Sequence, residues 1–255
     1  MTSWPFFQFS KEVSMRTDHL PFPMPERAYS LDQEWKFLTF MHWEVDPKKL
    51  AKFIPDGLEI DLYDGRAYIG VIPFIMANVR PRVAFSVPGI STFPEINIRT
   101  YVKRNGKAGV LFLTLEAQSM VTCAYAPRAY GLPYRYSIAR VSASEGSYKW
   151  ETRRRDGGHR FVGECKWDNQ GDYASRGTLE EFLFERYCLY TTHKGKLCVA
   201  YTHHEPWKFG TGTVKIESNS LTKEFDLGIE ELLTPDMVHV SEGVYVKTWS
   251  AEVVK

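Results

Sequence analysis

The stretch Glu95-Ile-Asn-Ile-Arg-Thr-Tyr101 sets polar groups into an otherwise apolar, strand-like segment. Side chains alternate faces along a strand. Glu95, Asn97, Arg99 and Tyr101 therefore share one face, and Ile96, Ile98 and Thr100 take the other. A carboxyl, an amide, a guanidinium and a phenol in a row have two uses. They can face water. Or they can line an enclosed interior, where Arg99 pairs with an anionic ligand or with a carboxylate. At about 3.3 Å per residue Glu95 and Arg99 stand ~13 Å apart, too far to pair with each other. Each needs another partner, and a ligand can be one.

Other candidate groups are more isolated. His42 sits in an apolar strand and reads first as a core histidine. His203 and His204 are adjacent, so on a strand they point to opposite faces and cannot both grip one metal. Arg153, Arg154 and Arg155 precede Asp156-Gly157-Gly158 and read as a solvated loop. Arg186, in a predicted helix, reads as one half of a structural salt bridge. The chain has no H-E-x-x-H, no G-x-S-x-G, no P-loop and no zinc-deaminase signature. Gly210-Thr-Gly212 lacks the third glycine of a dinucleotide fingerprint. No metal and no cofactor is therefore expected.

The elements that must hold these residues are mostly strands. KFLTFMHWEV (36–45) alternates and is rich in aromatics. A short helix follows in DPKKLAKFIP, with Asp46 as cap and Pro47 at its first position. Asp64-Gly65 and Asn105-Gly106 each sit between strand-like runs and signal hairpins. SMVTCAYAPRAYG suits a helix ending at Gly131. YRYSIARVS, SYKWETRRR, HRFVGECKW, KLCVAYTHH and TGTVKIES continue the strand pattern, and Thr178 opens a capped helix in TLEEFLFERY. Many short strands with tight turns and a few helices predict an α+β, mainly β fold: an antiparallel sheet or barrel with helices at its ends. Pro21, Pro23 and Pro25 make residues 1–34 an extended arm. No linker or repeat divides residues 35–255, which read as one domain.

Composition narrows the function. The chain has 255 residues, a formal net charge of +1 and 15% aromatic residues. The near-neutral balance argues against nucleic acid as a partner, and no apolar run is long enough to span a membrane as a helix. Trp4 to Phe9 is too short for a signal sequence. The four cysteines are widely spaced and there is no glycosylation sequon, so a cytoplasmic location is expected.

Several segments together resemble the YqjF-like family. They are FLTFMHWEVDPKKLAKFIPDGLEIDLYDGRAYIGVIPF, FPEINIRTYV with GKAGVLFLTLEA, YGLPY, LEEFLFERYCLYT and HHEPW, in order from Trp35 to Trp207. That family is distantly similar to acetoacetate decarboxylase. The resemblance implies a closed, cone-like antiparallel β-barrel with flanking helices and a central cavity, and turns the Glu95 face inward. It also implies that Glu95 matches a pocket glutamate of the decarboxylase. The enzyme's reactive lysine and its neighbour follow a Gly-x-Pro, and here Gly131-Leu132-Pro133 is followed by Tyr134 and Arg135. Neither can form a Schiff base.

Two functions compete at this stage. The first is a cavity that binds a small, partly apolar keto or carboxylate compound. Glu95 and Tyr134 are its candidate catalytic groups, for lyase or isomerase chemistry. Asn97, Arg99, Tyr101, His42, Arg135, His204 and Trp207 are its candidate ligand contacts. The second is a non-catalytic oligomeric or stress-related scaffold with a vestigial cavity. An aromatic-rich surface and the arm, exchanged between subunits, would then build a homo-oligomer.

Overall fold

The computed structural model describes residues 16–167, 171–228 and 233–254. The Trp4–Phe9 patch lies outside the described residues. In chain order the elements are β1 (Leu31–Val45), α1 (Pro47–Ala51), β2 (Glu59–Ile60), β3 (Ala67–Pro81), β4 (Phe93–Arg104), β5 (Lys107–Ala117), α2 (Met120–Tyr130), β6 (Tyr134–Ser144), β7 (Ser147–Arg154) and β8 (Arg160–Lys166). There follow β9 (Asp172–Tyr173), α3 (Leu179–Phe184), β10 (Cys188–His193), β11 (Lys196–His204), β12 (Lys208–Thr211), β13 (Thr213–Asn219), β14 (Met237–Thr248) and β15 (Glu252–Val253).

The pairings close on themselves. β1 pairs with β3, β3 with β4, β4 with β5, β5 with β10, β10 with β11, β11 with β14, and β14 with β1. The result is a ring of strands. β6, β7, β8 and β13 extend from β5 as a further layer. Two pairings, β5–β6 and β5–β10, are parallel where sequence reasoning expected an antiparallel sheet throughout. The β5–β6 case has a clear cause: α2 carries the chain back across the ring, as a parallel connection requires.

Local chemistry explains the boundaries. Asp46 accepts from the Lys48 backbone N–H to start α1, with Pro47 in the first turn. Ser119 caps α2 in the same way, and Gly131, at φ 70°, ends it in the left-handed region. Asn105 and Gly106 both take positive φ and form the tight β4–β5 turn. The Asp64-Gly65 turn also forms, but it joins only the single bridge Tyr63–Arg66, because Glu59 and Ile60 pair with β4 instead.

Alternation along the strands sorts the core into an inside and an outside. Met41, Val71, Ile96 and Ile98 pack outward against Trp150, Phe161 and Ile216 of the second layer. Leu38, Phe40, Ile72, Phe74 and Phe93 point into the ring, where Phe184 and Trp207 join them. Each such ring or branched chain withdrawn from water stabilises the fold by about 1.5–3 kcal/mol. The aromatic side chains are thus mostly interior, not the surface feature that the scaffold reading required.

Two expectations are corrected here. Residues 31–34 are not part of an arm, since β1 begins at Leu31. Residues 16–30 do run without a helix, and Phe22, Met24 and Tyr29 pack on the outside of the ring near Tyr201 and Trp249. Arg154 is not solvated: it is 4% exposed and its Nη2 lies 2.6 Å from Glu116 Oε1, with Nη1 3.0 Å from Glu224 Oε2. Burial works against its charge, but the bonds to Glu224 and Glu116 outweigh that and hold the guanidinium more firmly protonated. Period two from Tyr148 and Trp150 already puts Arg154 on the buried face. All four cysteines are free thiols.

Candidate functional site

A cavity of about 410 Å³ occupies the ring. The direction of β4 gives it an axis. Phe93, at the start of the strand, lies near the loop 82–92 and α2. Arg99, six residues on, lies against α3, where its Nη2 donates to the Leu183 carbonyl at 2.9 Å. Glu95, Asn97, Arg99, Tyr134, His204 and Trp207 all line the cavity. The inward-facing reading of the Glu95 face is what the structure has.

The polar groups differ in how they are balanced. Arg99 is 8% exposed and sits over the Phe40 and Tyr101 rings, 5.8 and 5.5 Å from their centroids. Its Nε also donates to the Tyr101 hydroxyl at 3.4 Å. Among the described residues no carboxylate lies within ion-pair distance of it. Arg186, which also lines the cavity, contrasts with it: its Nη1 lies 2.7 Å from Asp61 Oδ2. That ion pair agrees with the structural reading of Arg186, although the residue falls just past the end of α3.

Glu95 does not supply the missing charge. Tyr134 donates its phenol proton to Glu95 Oε2 at 3.0 Å. Burial pushes the Glu95 carboxyl up to about 8, against the opposing effect of that bond. Burial, and then the negative charge of Glu95, raise the Tyr134 phenol well above its ordinary value. Both shifts favour the neutral form of each group. Cys123, half-buried on α2 beside them, is pushed up to about 11 by burial and next by Glu95, so it is a thiol and not a nucleophile. Asn97 Oδ1 is buried with no hydrogen-bond partner among the described residues. Among the described residues the cavity therefore holds one uncompensated cation, one acid–phenol pair and one unmet amide oxygen.

The remaining sequence candidates divide. His204 stacks on Tyr187 with centroids 4.6 Å apart, and burial lowers its imidazole to about 4. Trp207 is held by a bond from its backbone N–H to Glu185 Oε1 at 3.0 Å and stacks near Trp35. His42 and Tyr101 lie beneath Arg99 and do not line the cavity. His42 Nε2 is 2.8 Å from the Tyr101 hydroxyl, and burial, then Arg99, keep the imidazole neutral. Arg135 is not brought to the site: it points away from Tyr134, as neighbours on a strand must, and its Nη1 pairs with Glu224 at 3.1 Å. His203 faces away from His204 and lies 2.7 Å from the Arg16 carbonyl. Among the described residues no three His, Cys, Asp or Glu side chains converge to hold a metal.

Sequence reasoning missed the mouth. Phe85, Val87 and Ile90 of the loop, with Val121 and Tyr125 of α2, line the outer end of the cavity and are exposed to solvent. The signal was present: Val83, Phe85 and Val87 are apolar at every second position of a segment too rich in Pro, Gly and Ser to belong to a core strand.

Ring, second layer and interior cavity define an acetoacetate decarboxylase-like fold. Acetoacetate decarboxylase from Legionella pneumophila superposes with a TM-score of 0.64 at 12% identity, over 92% of each chain. An acetoacetate decarboxylase-like enzyme from Sphingomonas wittichii RW1 superposes with a TM-score of 0.65 at 14% identity, over 92% of this chain and 99% of that one. The enduracididine biosynthesis enzyme MppR, solved with pyruvate, also gives 0.65 at 14% identity, over 90% and 92%. At such identities the likeness is one of fold. The sequence goes further: residues 32–245 match the DUF2071 family of uncharacterized conserved proteins, and the chain belongs to that family. Uncharacterized protein YqjF of Bacillus subtilis (strain 168) is 30% identical over 227 residues, 89% of this chain and 93% of that protein. No helix among the described residues is long and apolar enough to cross a membrane.

Proposed function

We propose that the ring cavity binds a small, partly apolar organic anion, a carboxylate or keto acid, with Arg99 as its anchor. The observation that carries this reading is the buried Arg99 cation facing the cavity with no carboxylate beside it among the described residues. An unpaired buried charge is costly, and an anionic ligand relieves it. The Glu95–Tyr134 pair supports a second role. The neutral carboxyl can lend or accept a proton, and Tyr134 can polarise a carbonyl, as lyase or isomerase chemistry on a keto or enol compound requires. Schiff-base decarboxylation is not part of this reading. Tyr134 follows Gly131-Leu132-Pro133, and no lysine among the described residues lines the cavity. A cytoplasmic location goes with it, supported by four unpaired cysteines.

The test is a thermal-shift screen against small keto acids, aromatic acids and neutral carbonyl compounds, with Arg99→Ala alongside. A ligand at one hundred times its Kd stabilises by about 2.7 kcal/mol. The expected result is an upward shift with acids that Arg99→Ala abolishes. No shift with any acid, and an Arg99→Ala protein that is merely less stable, would return Arg99 to a structural role. The second reading, an oligomeric scaffold, draws on the exposed apolar mouth, and that outcome would favour it.

A further inference from the structure

The mouth of the cavity narrows the class of ligand, on the footing that the cavity binds an organic anion. Along β4 the lining side chains run Arg99, Asn97, Glu95, Phe93, and the loop before β4 adds Ile90 and Phe85. Arg99 to Phe93 spans ~20 Å at about 3.3 Å per residue. The two cations among the described lining residues, Arg99 and Arg186, sit together at one end, both over the Tyr101 ring. Phe85 is 93% exposed and yet lines the cavity, so the cavity reaches the surface there. Val121 and Tyr125 of α2 line the same cavity and are 58% and 59% exposed. A continuous exposed apolar patch of this kind marks a contact site, and this one is continuous with the cavity wall. At roughly 30 Å³ for each water-sized group, 410 Å³ has room for about a dozen non-hydrogen atoms, well beyond a four-carbon keto acid. Between the two ends, Asn97 presents an amide oxygen without a donor.

We infer that the ligand is a medium-chain carboxylate. Its head group pairs with Arg99. Its hydrocarbon body follows the β4 face to the apolar mouth at Phe85 and Tyr125, and a hydroxyl on the chain near the head would meet Asn97 Oδ1. The class of compound is an acid of about eight to twelve carbons, by the same volume argument.

The experiment is a calorimetric titration of the full chain with straight-chain carboxylates from acetate to dodecanoate, each kept below micelle formation, and with the primary alcohols of matching length. The expected result is an affinity that rises about fourfold for each added methylene and levels off near ten to twelve carbons. The alcohols should bind at least tenfold more weakly, and Arg99→Ala should erase that preference. Phe85→Ser, at an exposed position, should leave butyrate unchanged and weaken decanoate severalfold. Short keto or aromatic acids that bind through Arg99 with no gain from chain length would overturn this inference and leave the anion-binding reading standing. No binding of any acid would overturn both. A Phe85→Ser variant that turns a dimer into a monomer while the length dependence survives would assign the mouth to a second copy of the chain instead.

Discussion

Glu95→Gln isolates the cost of keeping a carboxyl inside the ring. The side chain is 2% exposed and its carboxyl stands at about 8 against an ordinary 4.5. A raised carboxyl pKa means that the folded state binds the proton more tightly than the unfolded chain. Stability from this group is complete below about pH 4.5 and is lost as pH rises through about 8. The difference of about 3.5 units corresponds to roughly 5 kcal/mol in all, at about 1.4 kcal/mol per unit. Glutamine keeps an acceptor for the Tyr134 phenol and carries no titrating proton. Unfolding free energies of parent and variant from urea titrations should therefore agree to within about 1 kcal/mol near pH 4. They should separate in the variant's favour by about 1.4 kcal/mol per pH unit from 5 to 8, and run parallel above pH 9. Subtracting one profile from the other removes every other titrating group. A difference that stays flat from pH 5 to 8.5 would refute the reasoning, since Glu95 would then ionise as it does in water and the charge balance of the cavity would be wrong.

Two further perturbations test the frame around the site. Glu116→Gln leaves the buried Arg154 with Glu224 as its carboxylate partner and sets an NH2 donor where one Glu116 oxygen accepts from other donors, so unfolding free energy should fall by about 3–5 kcal/mol; a loss under about 1 kcal/mol in a urea titration would mean that water reaches the network. Gly131→Ala should cost more than the ordinary ~1 kcal/mol for a left-handed residue, because the added Cβ would sit 2.4 Å from the Thr192 carbonyl oxygen; a melting temperature equal to that of the parent would show that α2 can end another way.

Much of this was legible in the chain because local rules decide it. Asn105-Gly106, the Ser119 and Gly131 ends of α2 and the Asp46-Pro47 start of α1 are each set by residues within a turn of one another. Period two put Glu95, Asn97, Arg99 and Tyr101 on one face. Which face was inside needed the ring, and the ring depends on pairings between residues more than a hundred positions apart, such as Leu31 with Thr248. The same limit explains Arg154, whose partners Glu116 and Glu224 come from β5 and from the segment after β13. It explains Glu59 and Ile60 as well, which forsake the Asp64-Gly65 turn for β4. The alternation rule, applied strictly, separates Tyr134 from Arg135, which the sequence reading kept together as candidates. Only one of the pair reaches the cavity.

The pairing of β1 with β14 has a temporal side. The first strand of the ring finds its second neighbour only when residues 237–248 have been made, some 200 residues later. At about 5–20 residues per second of synthesis, β1 waits roughly ten to forty seconds with one edge unpaired. Lys36 and Glu34 lie along that strand, and charges on an open edge discourage a second nascent chain from adding to it. The closed ring that ends with few free edges thus begins as an open one, and it can close only once β14 has been made to join β1 to β11.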